Sequence, residues 1–190
     1  MRIVGGRLRG LKLADVGEGD PAAHLRPTTD RVRETIFNLL ENAHSLRLDG
    51  MRVLDLFAGT GALGLEALSR GAARVAFVDD GAKARALLRS NIEKARAMGE
   101  TDVWRRDATR LGPNRGPGYD LILLDPPYDT GLGEAAIASA LDGNWIAPGA
   151  TIMWEDARPP LIPAPLRQID QRRYGDTTIT ICRMPDPLVG

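Results

Sequence analysis

The sequence predicts an α/β protein built on a doubly wound, mostly parallel seven-stranded sheet. An antiparallel hairpin forms its C-terminal edge, and a small β-hairpin stands at the N-terminus. Three observations predict it. From Gly50 onward, short apolar runs alternate with stretches of helical periodicity, the pattern of strand–helix–strand units. A glycine-rich segment, Gly59-Thr60-Gly61-Ala62-Leu63-Gly64, follows the first of those runs and opens a helix. The last two strand-like segments are consecutive and joined by Gly175-Asp176, which pairs them antiparallel.

The chain begins with residues 2–13, which hold Arg2, Arg7, Arg9 and Lys12 and no acid. Apolar residues there flank Gly5-Gly6 and Gly10, which suits a short twisted hairpin. Residues 16–21 are rich in glycine and acid and are expected to be a mobile loop. Pro27 disfavours helix at Arg26. Thr29 or Asp30 can cap a helix over residues 31–42, where Val32, Ile36, Phe37, Leu39 and Leu40 follow helical spacing. Arg26, Arg31 and Arg33 crowd the start of that helix, where its dipole disfavours cations. That cluster is read as serving a ligand, in preference to a solvated helix start.

The alternating part follows. Strands are expected at residues 51–57, 74–78, 103–106, 119–124 and 151–154, and helices at 63–69, 82–98 and 133–141. Strands at 166–174 and 177–183 complete the sheet. Residues 1–25 are expected as a basic hairpin and loop, and residues 26–190 as the main domain.

Composition narrows the function. At 190 residues the chain is the length of one domain and, at roughly 70% burial of its unfolded surface, needs no disulfide. With 43% apolar and 26% charged residues it is not a disordered protein. The single cysteine, Cys182, excludes a disulfide framework and a zinc site built on paired thiolates, and no metal site is expected. The 25 basic and 25 acidic residues cancel, which argues against a protein that coats nucleic acid but leaves room for a local basic patch. Arginine outnumbers lysine 22 to 3, either for bidentate recognition of phosphate or from the base composition of the genome. No apolar run has the length of a membrane span and no signal-peptide core follows Met1, so the expected compartment is the cytoplasm.

Open α/β sheets bind ligands at the carboxyl ends of their strands. Asp55 and the glycine loop stand after the first strand, Asp79 after the second, Asp107 after the third, and Asp125-Pro126-Pro127-Tyr128 after the fourth. The glycine loop alone is shared by several nucleotide-binding classes. Asp55 lies four residues before Gly59, where a carboxylate suits a cationic ligand better than a pyrophosphate. The two prolines fix their own φ angles and leave the Asp125 carboxylate and the Pro126 carbonyl as rigid neighbouring acceptors, with the Tyr128 ring beside them. Two acceptors and a stacking face match an exocyclic amino group on a planar base. Accepting both its hydrogens turns the nitrogen lone pair outward, toward an activated methyl group. The cationic methyl donor is then S-adenosylmethionine. The alternative for this motif is a turn that merely ends a strand.

DLFAGTGALGLEALSRGA, the acid at Asp79 and LLDPPY resemble the class I S-adenosylmethionine-dependent methyltransferases that methylate amino groups, which have a Rossmann-like fold. RIVGGRLRGLKL, LRPTTDRVRETIFN and RRYGDTTITI resemble, in that order, the bacterial RsmD family of 16S ribosomal RNA guanine-N2 methyltransferases. The resemblance runs from Arg2 to about Arg183. It implies a methyl transfer to guanine N2 in the small-subunit RNA, guanine 966 being the family-typical target. It implies a catalytic set of Asp125, Pro126 and Tyr128, and a cofactor site of Asp55, Ala58, Gly59, Thr60, Gly61 and Asp125. Asp79 or its neighbour Asp80, with Asp79 favoured, meets the ribose, and Asp107 and Ala108 the adenine. RNA contacts fall to Arg2, Arg7, Arg9, Arg26, Thr28 and Arg33. The implied partner is 16S RNA in an assembled or assembling small subunit, and the protein is expected to be a monomer.

Three other readings stay open. One is an adenine-N6 methyltransferase acting on DNA or RNA; the chain has no long insertion after DPPY for recognising a DNA target. An oxidoreductase using a nicotinamide cofactor leaves DPPY unexplained. The last is a ribosome-assembly factor that binds RNA without catalysis. His24 and His44 are assigned surface or structural roles, Trp104, Trp145, Trp154 and Cys182 to the core, and residues 159–165 to a rigid connector.

Overall fold

The computed structural model describes residues 1–15 and 28–187. The loop expected at residues 16–21, His24, Arg26 and the boundary after residue 25 lie outside the described residues. The sheet has seven strands: β1 (Arg52–Leu56), β2 (Arg74–Val78), β3 (Thr101–Trp104), β4 (Tyr119–Leu124), β5 (Ile146–Asp156), β6 (Arg167–Tyr174) and β7 (Thr177–Arg183). Their spatial order is β3-β2-β1-β4-β5-β7-β6. The first five run parallel, β7 runs antiparallel to β5, and β6 closes the edge antiparallel to β7. The helices are α1 (Asp30–Asn38), α2 (Ala62–Ser69), α3 (Ala82–Lys94) and α4 (Leu132–Asp142).

The two faces of the sheet carry separate apolar clusters. Val53, Leu121, Leu123, Met153, Ile179 and Ile181 pack with Ile36, Phe37, Leu65 and Leu88 of α1, α2 and α3. Leu54, Leu56, Ile122, Leu124, Ile152 and Trp154 pack with Ala136, Ile137 and Ala140 of α4. Both faces are covered, so the central strands are apolar over most of their length, with Asp55 and Glu155 near their carboxyl ends. Each fully buried aliphatic side chain here contributes about 1.5–3 kcal/mol.

The same alternation places chemistry. Counting by twos from Val53, Leu123 and Met153 arrives at Asp55, Asp125 and Glu155. All three therefore belong to the α1–α2–α3 face, at the carboxyl ends of three adjacent strands.

Some element bounds differ from the sequence reading, each for a physical reason. Helix α3 stops at Lys94 instead of running to Met98. Arg96 adopts a left-handed φ of 54°, and Ala97 donates back to the Ile92 carbonyl, a helix stop usually made by glycine. Strand β5 begins at Ile146, because the chain passes Pro148-Gly149 through an irregularity in register with β4. Strand β3 lies two residues earlier than expected. Helix α1 is capped by the Thr29 side chain and continues into a wider π turn at Leu39–Ala43. The N-terminal segment folds back on itself, with Ile3 N–H donating to Leu11 and Gly10 N–H to Ile3, but its ladder is a single Arg2–Lys12 bridge. Ile3 and Leu13 are buried in the α1–α2–α3 cluster.

Candidate functional site

The glycine loop turns directly from β1 into α2. Phe57, Gly59 and Gly61 take left-handed φ angles of 58°, 57° and 82°. Gly64 serves packing: a Cβ there would lie 2.4 Å from the Phe77 ring. Asp79, at the end of β2, holds the loop. It accepts from Gly59 N–H and from Gly81 N–H, each at 2.8 Å, and so ties the loop to the start of α3. Asn91 of α3 holds the loop from its other side, donating to the Thr60 and Ala14 carbonyls.

These elements border a cleft of about 960 Å³ over the strand ends. Of the residues proposed from sequence, Thr28, Asp55, Ala58, Gly59, Thr60, Asp79, Asp80, Asp125, Pro126 and Tyr128 line it. Gly61, Asp107 and Ala108 are not among its walls. Asp107 is exposed and caps a short 3₁₀ turn, accepting from Thr109, while Ala108 is buried beneath it among the α4-side apolar residues. Both follow the carboxyl end of β3, which closes at Trp104, two residues earlier than expected.

Asp55 is buried and accepts from Gly64 N–H at 2.9 Å, and burial holds its carboxyl well above the usual carboxylate range. Asp125 is half-buried and raised the same way, by burial first and then by the charge of Glu155. Thr28 Oγ1 sits between the two, 3.1 Å from Asp125 Oδ2 and 3.2 Å from Glu155 Oε2. The Tyr128 hydroxyl lies 3.2 Å from Glu155 Oε1 and 3.0 Å from Thr177 Oγ1. Burial pushes its phenol up to about 12, so it stays protonated and keeps its donor. Glu155, only 3% exposed, was missed by the sequence reading. Its signal was present: MWED ends its strand in the register of LLD and VLD.

The basic residues fall into two groups. Arg2, Arg7 and Arg9 are exposed on the N-terminal segment, whose Met1 and Asp15 reach the cleft wall. Arg7 is held by Glu100 at 2.8 Å, a surface pair worth about 0–1 kcal/mol and open to competition. Arg33 corrects the sequence reading. It is fully buried, and its guanidinium meets Glu66 at 3.3 Å and Asp30 at 2.9 Å and donates to the Arg2 and Thr28 carbonyls. Its charge is answered inside the protein, so it offers nothing to RNA. Two acids now answer the cation at the helix start that seemed to want a ligand.

Residues 1–183 match the family described as Conserved hypothetical protein 95. Ribosomal RNA small subunit methyltransferase D of Escherichia coli K12 is 39% identical over 156 residues, which are 82% of this chain and 74% of that protein. Putative rRNA methyltransferase YlbH of Bacillus subtilis is 41% identical over 131 residues, 67% of each chain. Among solved structures, the putative methyltransferase yhhF from Escherichia coli has a TM-score of 0.82 at 34% identity, over 98% of this chain and 99% of that one. The putative methylase HI0767 from Haemophilus influenzae has a TM-score of 0.77 at 29% identity, over 97% and 98%.

Proposed function

The chain belongs to the RsmD family, described as Conserved hypothetical protein 95, and on that premise we propose that it methylates guanine N2 in 16S RNA of the small ribosomal subunit. Guanine 966 is the position proposed, as the family-typical one. The observation that carries this reading is the row of acceptors beside the glycine loop: buried Asp55 and Glu155 and half-buried Asp125 on one face, with Pro126 and Tyr128 at their edge.

S-adenosylmethionine, when bound, supplies a methyl group on a cationic sulfur. The cleft fits it by its donor set. Buried Asp55 offers a negative charge to a cationic group. Asp79, already immobilised by two backbone amides, keeps lone pairs for a ribose hydroxyl pair and is better fixed for this than exposed Asp80. Gly59, flanked by Ala58 and Thr60 on the cleft wall, lets the backbone approach closely. Gly61, the N-cap of α2, is proposed for the same cofactor, and Asp107 and Ala108, just past the carboxyl end of β3, for its adenine.

The Asp125 carboxylate and the Pro126 carbonyl accept the two amino hydrogens of the flipped base, and the Tyr128 ring covers its face. Holding both hydrogens aims the nitrogen lone pair at the methyl carbon and stabilises the positive charge that grows on nitrogen. The excess proton leaves through the Asp125 carboxylate. Arg2, Arg7, Arg9 and Thr28 border the RNA. A balanced net charge gives little general attraction to RNA, so a structured substrate in the small subunit is favoured over a short free hairpin. The protein acts as a cytoplasmic monomer.

The test is methyl transfer from labelled S-adenosylmethionine to unmethylated small subunits, followed by nucleoside analysis. N2-methylguanosine is the expected product. N6-methyladenosine, or no labelled nucleoside, overturns the reading.

A further inference from the structure

Of the hydroxyl groups that line the cleft, those of Thr28 and Tyr128 both lie within hydrogen-bond distance of Glu155. A hydroxyl has one proton and two lone pairs. Thr28 Oγ1, set between two carboxylates at 3.1 and 3.2 Å, gives its proton to one of them and turns lone pairs toward the cleft. When Asp125 takes the amino hydrogen of a base, Glu155 is the carboxylate left to receive the Thr28 proton. Tyr128 likewise points its proton inward, to Glu155 or Thr177. Among the described residues, the polar atoms beside the Asp125 end of the cleft are then acceptors: the Asp125 carboxylate, the Pro126 carbonyl and Thr28 Oγ1.

That polarity distinguishes bases. Guanine carries two adjacent donors, the ring N1–H and the N2 amino group. Adenine and cytosine place a ring acceptor beside their amino group, and it would face the Thr28 lone pair with no donor to meet it. We infer that Glu155 is a specificity-determining residue, which fixes Thr28 as an acceptor for guanine N1–H and leaves Asp125 free for the amino group. It acts through Thr28 and does not touch the base. This rests on the methyltransferase reading above and supplies what DPPY leaves open, namely which of the three amino-bearing bases is chosen.

The probe is 2-aminopurine, which keeps the C2 amino group of guanine but has an acceptor at N1. Small subunits are reconstituted with guanine or 2-aminopurine at the target, and single-turnover methyl transfer is measured for the wild type and for Glu155→Gln. The wild type should prefer guanine by about a hundredfold or more, since a site built to pair a ring N–H discriminates strongly against its loss. In Glu155→Gln one carboxylate oxygen becomes an N–H2 donor; where that group faces Thr28 it donates to the hydroxyl, and the Thr28 proton turns to Asp125 or into the cleft. The preference should shrink at least about tenfold, the worth of roughly one hydrogen bond, while the cofactor dissociation constant stays within about threefold.

A variant with the wild-type base preference overturns the inference. Should Glu155→Gln fail to fold, Thr28→Val removes the same lone pair and must also narrow the preference; an unchanged ratio there refutes the inference equally. A wild type that methylates both bases alike sinks the inference and leaves the methyltransferase reading standing. No transfer to the guanine substrate removes the reading, and the inference with it.

Discussion

Replacing Arg33 with alanine removes a guanidinium that seats α1 and the N-terminal segment on α2. Its side chain and that of Glu66 are both fully buried. Without Arg33, Glu66 still accepts from Val4 N–H at 3.0 Å, Gly5 N–H at 2.8 Å and Arg70 Nε at 2.9 Å. The remaining charge stays paired, so the loss falls near the lower end for a broken buried pair, about 3 kcal/mol. Glu66→Ala is worse. It strips an acceptor from four donors and leaves Arg33 with Asp30 as its acidic partner, at the upper end of the same range, about 5 kcal/mol. For a chain of 190 residues, Arg33→Ala should lower Tm by about 6–12 °C. Arg31→Ala, two residues away and exposed, should stay within about 0.5 kcal/mol of the wild type. Urea denaturation and thermal scans measure all three. If Arg33→Ala and Glu66→Ala were both as harmless as Arg31→Ala, the buried network would be wrong and Arg33 would be returned to the RNA surface.

Other substitutions test other parts. Asp55→Asn should stabilise the unliganded protein by about 1 kcal/mol and weaken cofactor binding, because a neutral amide escapes the desolvation of a buried carboxylate. The sign follows from linkage: the raised folded value makes Asp55 lose stability as pH climbs above the ordinary carboxylate range, so the gain must be larger at pH 7 than at pH 4; denaturation at both pH values shows it. Gly64→Ala should cost about 1–3 kcal/mol, since the new methyl meets Phe77 at 2.4 Å and Val75 at 2.8 Å and overpacks the α2–β2 contact; Tm reports it. Cys182 is buried and its thiol is pushed up to about 11, so a thiol reagent at pH 8 should react only as fast as the protein unfolds.

The layered α/β fold was legible because hydrophobic period and glycine punctuation agree along most of the chain. Strands β2, β4 and β7 fall on their expected residues. What sequence hid was backbone conformation without its usual residue, as at Arg96, and a bend that pairs despite Pro148-Gly149. In the site, DPPY and the glycine loop were visible because their spacing is local. Glu155 was not, because its role depends on strand register and on Thr28, which is 127 residues away. Arg33 misled for the same reason: its partner Glu66 lies 33 residues along the chain, on another helix. A cation at a helix start reads as a site only until the acid that answers it is seen.

The role of Asp125 is measured by the single-turnover rate of methyl transfer from S-adenosylmethionine to unmethylated small subunits by Asp125→Ala beside the wild type. Cofactor binding is measured on both proteins. The wild type should yield N2-methylguanosine, and the variant, still folded and held at saturating cofactor, a rate about 10²–10⁴-fold lower. A folded, cofactor-binding variant that methylates at the wild-type rate would contradict that role, because Asp125 would then not be the group that aims the amino nitrogen.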